Sequence, residues 1–268
     1  MTRILPLLAA AALGILLLCA AGRPQQDHPA APRFKAVAFD YFVLFDPNSI
    51  VPAAESAFPG KGPEFVRAWR SKQFEYGYLR SITSRHADFF KVTEDALVYT
   101  AEAMKLDLTT EKRERLLNAY LHLSLWPDTA DALRKLRAAG VKIITIANFN
   151  PTMLRSNADN AGIVSLFDEL LSTEVNATYK PDPRAYALGM EHLGLKKDEI
   201  LFAAFGGWDA YGAKNFGYTT YWVNRFHLPT EKLGLEPDKS SDTLEGLLDF
   251  VLGPQPEKPV TGKNAPSR

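Results

Sequence analysis

Five short, largely apolar runs punctuate the chain, and a polar group follows close behind the end of the first four. They are 36–39 (AVAF), 142–147 (KIITIA), 169–172 (ELLS), 200–204 (ILFAA) and 219–223 (TTYWV). Runs this short and this apolar read as strands buried on both faces of a sheet. Between them lie stretches of helical periodicity at 129–139, 151–161, 183–193 and 210–216. Three of these run into Gly140, Gly194 and Gly217, the usual stop signal at a helix C-terminus. Strand and helix in alternation predict an α/β fold built on a doubly wound parallel sheet. Ligands of such sheets bind outside the carboxyl ends of the strands. The residues just past each run are therefore the place to look for chemistry.

One stretch breaks the alternation. Residues 62–123 have helical periodicity and no convincing strand, and they fall between the first run and the second. They are read as a helical cap inserted into the sheet domain. The resulting division is a core of 35–52 and 125–252, a helical cap of 53–124, a polar linker of 23–34 and a disordered Pro- and Gly-rich tail of 253–268. The first 22 residues carry Arg3, a long apolar run and small residues at its end, which reads as a secretory signal cleaved near Ala21 or Gly22. An uncleaved membrane anchor is the alternative. Cleavage implies a periplasmic or secreted protein with no stable membrane association. It also removes Cys19, the single cysteine, which leaves no disulfide and no thiol chemistry. Lys and Arg number 31 and Asp and Glu number 31, so no basic excess points to nucleic acid.

Four polar residues stand past four strand ends. Asp40 follows the first run in "AFDYFVLFD", and Asn148 follows KIITIA. Lys180 lies in "YKPDPRAY" after the third, and Asp209 in "FGGWDAYGAK" after the fourth. Two carboxylates and an ammonium converging on one crevice make physical sense together. Lys180 would hold Asp40 ionised, and Asp209 would hold Lys180 in place. An ionised, partly desolvated carboxylate is a usable nucleophile.

The sequence resembles the haloacid dehalogenase superfamily, and within it the type II L-2-haloacid dehalogenases, from Lys35 to Val251. Four stretches carry the resemblance: "AFPGKGPEFVRAWRSKQFEYGYLRS", "FFKVTEDALVYT", "YKPDPRAY", and "GWDAYGAKNFGY" followed by "YWVNR". The resemblance implies that Asp40 is the nucleophile, that Lys180 pairs with it and that Asp209 positions Lys180. It implies that Arg70 meets the substrate carboxylate and the departing halide. Asn148 and Tyr186 match further residues of the substrate site, and Phe74, Phe89 and Trp208 match its apolar wall. The implied reaction converts a small (S)-2-haloalkanoate and water to an (R)-2-hydroxy acid through an ester on Asp40, with no metal and no cofactor. A homodimer is a further implication.

The departures from the family pattern are local. "DYFVLFD" is one residue shorter than the usual first motif and lacks its Gly-Thr. Ala147, Ala204 and Gly206 stand where serine, serine and asparagine are usual, and Phe149 where glycine is usual. Phosphatases of the superfamily need an acid two residues after the nucleophile and an acidic magnesium ligand in the last motif. Phe42 and Phe205 occupy those places here, which argues against phosphoryl transfer. A non-catalytic or degenerate periplasmic binder of small acids is the remaining alternative. The five histidines show no metal-ligand spacing.

Overall fold

The computed structural model describes residues 32–253. The signal-like segment, the linker up to residue 31 and the tail from 254 lie outside the described residues.

The chain enters a central strand at once. β1 (Ala36–Phe39) leads to a single helical turn, α1 (Tyr41–Leu44), then a two-residue strand, β2 (Phe45–Asp46). Four helices follow: α2 (Val51–Ala57), α3 (Gly62–Ile82), α4 (Phe89–Ala103) and α5 (Thr110–Ala119). The chain then returns through β3 (Ser124–Leu125), which pairs antiparallel with β2. After that come α6 (Thr129–Ala138), β4 (Lys142–Ala147), α7 (Pro151–Asn160), β5 (Glu169–Ser172) and α8 (Pro183–Leu193). The last part is β6 (Ile200–Ala204), α9 (Gly207–Phe216), β7 (Thr219–Val223), β8 (Lys239–Ser241) and α10 (Leu244–Leu252).

The main sheet has six strands in the order β5-β4-β1-β6-β7-β8, all parallel. β1 is central and every residue of it is buried. Its alternate residues feed two cores, as the period of a strand requires. Val37 and Phe39 join the larger cluster with Ile143, Leu201 and Val223. Ala36 and Ala38 face the other cluster with Ile144, Phe202 and Trp222. Burial of a side chain such as Phe39 contributes about 1.5–3 kcal/mol. Phe39 is paired with Thr145 on β4 and Ala203 on β6. β6 runs one residue and β4 two residues beyond this register, so Asp40, Asn148 and the turn after Ala204 lie staggered along the same edge of the sheet. Gly140, Gly194 and Gly217 all have positive φ, at 76°, 63° and 104°, where a Cβ would be strained.

The structure adds three features to the expected alternation. β8 pairs with β7 as an edge strand, and β2 with β3 forms a small ribbon where the chain leaves the sheet domain and comes back. α9 begins at Gly207, three residues ahead of the expected 210, so Trp208 and Asp209 lie in its first turn.

Asn157 on α7 fastens the return of the helical insertion. Its buried amide accepts from Leu123 N at 2.7 Å and donates to Tyr120 O at 2.8 Å and Met153 O at 2.9 Å. Asn157→Ala strands a buried N–H and a buried carbonyl. The expected loss is about 2–4 kcal/mol of unfolding free energy, read as a lowered urea midpoint with an unchanged slope.

Candidate active site

Asp40 caps the turn that follows β1. Its Oδ2 accepts from Phe42 N at 3.1 Å, and its side chain is only 12% exposed. Oδ1 accepts from Lys180 Nζ at 2.7 Å. The same ammonium donates to Asp209 Oδ2 at 2.7 Å. Lys180 and Asp209 have fully buried side chains. Behind them, the Tyr186 hydroxyl donates to Asp209 Oδ1 at 2.8 Å, and Tyr218 Oη donates to the Tyr186 carbonyl at 2.7 Å. Asp40, Lys180, Asp209 and Tyr186 thus form one chain of hydrogen bonds running from a cavity into the core.

Electrostatics follow from that chain. Burial works against the Lys180 ammonium, but the charges of Asp209 and Asp40 outweigh it and raise its pKa. Burial, reinforced by the negative Asp40, pushes the Asp209 carboxyl up to about 6 against the pull of Lys180 and Tyr186. Burial and the charge of Asp209 raise the Tyr186 phenol, which keeps it a donor.

Arg70 comes from α3. Trp69 anchors that helix, with its indole N–H donating to Thr93 O on α4 at 2.9 Å. The Arg70 guanidinium carbon stands 5.0 Å from the centroid of the Phe42 ring. It makes no hydrogen bond or ion pair with any described residue. Burial lowers its pKa, opposed by Tyr120, Asp40 and Asp46, and a guanidinium keeps its charge in such surroundings. Asn148 is oriented by Lys180 N, which donates to its Oδ1 at 2.9 Å, and by Thr173 Oγ1 at 3.3 Å. That leaves Asn148 Nδ2 without a partner among the described residues, and the Trp208 indole N–H has none there either.

These groups open on a cavity of about 280 Å³. Asp40, Arg70, Asn148 and Lys180, with Gln73 and Glu231, supply polar groups to its lining, and Phe74, Phe89 and Trp208 form part of its wall. Phe74 packs on Trp208 with ring centroids 4.6 Å apart. Asp209 stands behind Lys180 and holds its ammonium, as expected, without reaching the cavity. One expected residue stands elsewhere. Tyr186, expected at the substrate, does not reach the cavity, because its hydroxyl is committed to Asp209 and its ring to the core.

Other wall residues escape a reading based on motifs. Tyr78 lies one turn beyond Phe74 on α3, so helical spacing alone points to it. Phe226, Leu228 and Glu231 come from the segment after β7, the fifth strand end, to which the same rule of strand ends applies. Phe42, Phe149 and Phe205 also line the cavity; Phe149 stands where the family usually has glycine, and Phe42 and Phe205 stand where phosphatases of the superfamily have acids.

Among the described residues no three His, Cys, Asp or Glu cluster as metal ligands would. The position between the two carboxylates is filled by the Lys180 ammonium.

A parallel sheet with an inserted helical unit and an aspartate–lysine–aspartate chain at the strand ends defines a hydrolase of the haloacid dehalogenase type. A model of the haloacid dehalogenase-like hydrolases matches residues 4–217, and the chain belongs to that family. The (S)-2-haloacid dehalogenase of Pseudomonas sp. (strain YL) is 40% identical over 217 residues, covering 81% of this chain and 94% of the relative. A crystal structure of an L-2-haloacid dehalogenase superposes with a TM-score of 0.80 at 37% identity, covering 81% of this chain and 98% of that one. The L-2-haloacid dehalogenase of Xanthobacter autotrophicus with chloropropionic acid covalently bound matches with a TM-score of 0.75 at 34% identity, covering 80% and 96%.

The hydrogen bond from Tyr186 favours the ionised form of Asp209. Tyr186→Phe removes it, so the carboxyl titrates at a higher pH. The acid limb of a kcat/KM–pH profile, expected near 6 in the parent, moves upward in this variant. The linked stability has a definite sign. A carboxyl raised above its ordinary value favours the folded state at low pH, and that contribution is lost as pH rises through about 6. Asp209→Asn removes this component from the dependence of the urea midpoint on pH.

Proposed function

We propose that the protein is an (S)-2-haloacid dehalogenase that works through an ester on Asp40, without a metal ion. The observation that carries this reading is the placement of Asp40, held by the Lys180 ammonium at 2.7 Å, on the same largely apolar cavity as an uncommitted Arg70. Arg70 offers a planar fork of donors to a substrate carboxylate. Asn148 Nδ2 and the Trp208 N–H add donors for the carboxylate and the departing halide.

In the first step one oxygen of Asp40 attacks the α-carbon in line. A new carbon–oxygen bond forms, the carbon–halogen pair leaves as halide, and the configuration inverts. The apolar wall strips water from the nucleophile. In the second step water attacks Cγ of the ester. The oxygen that was not alkylated carries the developing charge, and either Lys180 Nζ or Phe42 N donates to it. Collapse breaks the bond between Cγ and the alkylated oxygen; one proton of the attacking water passes to the departing alkoxide and the other to solvent, which restores the Asp40 carboxylate and releases an (R)-2-hydroxy acid whose new oxygen came from the enzyme. Lys180 supplies the fixed positive charge between the carboxylates that a metal ion would otherwise supply, and Phe42 stands where a second acid would be needed.

Chloride release from (S)-2-chloropropionate tests the reading. The expected product is (R)-lactate, with little turnover of the (R)-substrate and no loss with chelator. Asp40→Asn lowers kcat at least about 10³-fold while leaving the far-ultraviolet circular dichroism unchanged. A single turnover in H₂¹⁸O with enzyme in excess places the label in Asp40 and not in lactate. Label in lactate would show direct attack by water and overturn the ester.

The apolar N-terminus supports export to the periplasm with cleavage near Ala21 or Gly22, after which the protein is free of the membrane. N-terminal sequencing of the mature protein checks this, and light scattering checks the proposed homodimer.

A further inference from the structure

The cavity is larger and more aromatic than a three-carbon acid needs. Its 280 Å³ lies just below the range, about 300–1,000 Å³, in which pockets hold drug-sized ligands. Its rings form a continuous path. Phe89 stacks on Phe149 at 5.2 Å, and Phe149 meets the Phe42 edge at 5.4 Å. Phe42 lies 5.9 Å from Phe205, and Phe205 meets Phe226 at 5.5 Å. Phe42 carries Arg70 over its face at 5.0 Å, so a carboxylate on Arg70 lays its α-substituent against this path. Small residues stand beside this path, and the glycines let neighbouring side chains pack close to the backbone there. Ala147, Gly206 and Gly207 all line the cavity. A Cβ on Gly206 would lie 2.6 Å from Trp208 Nε1, so the indole already fills the space that a side chain there would take.

We infer that the preferred substrates are 2-haloacids bearing an aromatic ring, of the 2-chloro-3-phenylpropanoate type. The ring packs among Phe42, Phe149, Phe205 and Phe226, and the carboxylate pairs with Arg70, the anchor assigned by the function proposed above. Aromatic rings gain from offset and edge contacts beyond simple burial. The reaction balances as 2-chloro-3-phenylpropanoate plus water giving 3-phenyllactate, chloride and a proton.

Two measurements separate this inference from the dehalogenase reading. Isothermal titration of the full mature protein compares (R)-3-phenyllactate with (R)-lactate, and needs no turnover. Burial of the phenyl group predicts a Kd about tenfold to a hundredfold lower for phenyllactate. Chloride release then compares (S)-2-chloro-3-phenylpropanoate with (S)-2-chloropropionate, with kcat/KM expected to favour the aryl acid at least about tenfold. Phe205→Ser, and separately the more exposed Phe226→Ser, lower that ratio; the second variant keeps the test valid if the first fails to fold. Equal binding of the two hydroxy acids, or a ratio at or below one, overturns the inference even if chloropropionate is a good substrate. Tighter binding of phenyllactate with no chloride from either acid leaves the aryl site standing and removes the dehalogenase reading.

Discussion

The Lys180 ammonium, buried between Asp40 and Asp209, is the contact on which the site depends. A buried charge is tolerable only when paired and hydrogen-bonded. Here each carboxylate stands 2.7 Å away, one at the end of β1 and the other in the first turn of α9. The loop that carries Lys180 follows β5. Three separate segments must therefore reach one point, and the parallel strands, which all end at one edge of the sheet, make that possible. Removing one partner of such a buried pair typically costs about 3–5 kcal/mol. The triad therefore contributes to the integrity of the core as well as to chemistry. Its net charge is negative, and Arg70 across the cavity balances it.

The same loop also fastens the helical insertion. Tyr179, next to Lys180, donates its N–H to Ser81 Oγ at 3.0 Å, and its hydroxyl donates to Ala87 O. Glu174 accepts from Phe89 N at 2.6 Å at the start of α4. Arg70 and Phe89 ride on the helices held in this way. The positions of Arg70 and of Asp40 are thus tied through one short stretch, 174–180. Correct mutual placement of reacting groups is worth a large share of a catalytic barrier, and here these hydrogen bonds act together with ring contacts such as Phe89 on Phe149 and Phe74 on Trp208.

Much of this was legible in the sequence because the controlling signals are strong and local. All five runs form strands within their expected bounds, since residues buried on both faces leave no ambiguity of period. Asp40, Asn148 and Lys180 were found by their place past a strand end. What stayed hidden depends on tertiary contact. β8 is three polar residues at a sheet edge, and β2 is two residues whose partner lies far along the chain. Tyr186 sits in the motif of the lysine loop, and only the packing shows that its hydroxyl serves Asp209. In the sequence, Phe149 reads as a departure from the family pattern, and Phe42 and Phe205 read only as the absence of phosphatase acids. In space they are neighbours and form a wall.

That wall and the small residues beside it form one arrangement. With Ala147, Ala204 and Gly206 at the strand ends, no hydroxyl or amide projects from those positions, and rings occupy the volume. A Cβ on Gly207 would come within 3.0 Å of Glu231 Cγ, so this backbone also admits the segment that follows β7. Fewer neutral polar groups mean a lower local dielectric, which strengthens the pairing of Lys180 with both carboxylates. It also leaves the hydrolytic water fewer partners: the Phe42 N–H, Asn148 Nδ2 and the charged groups themselves. Displacement of halide gains from such dryness, and hydrolysis of the ester does not. The balance between the two steps is therefore set by how much water the aromatic cavity admits after the halide leaves.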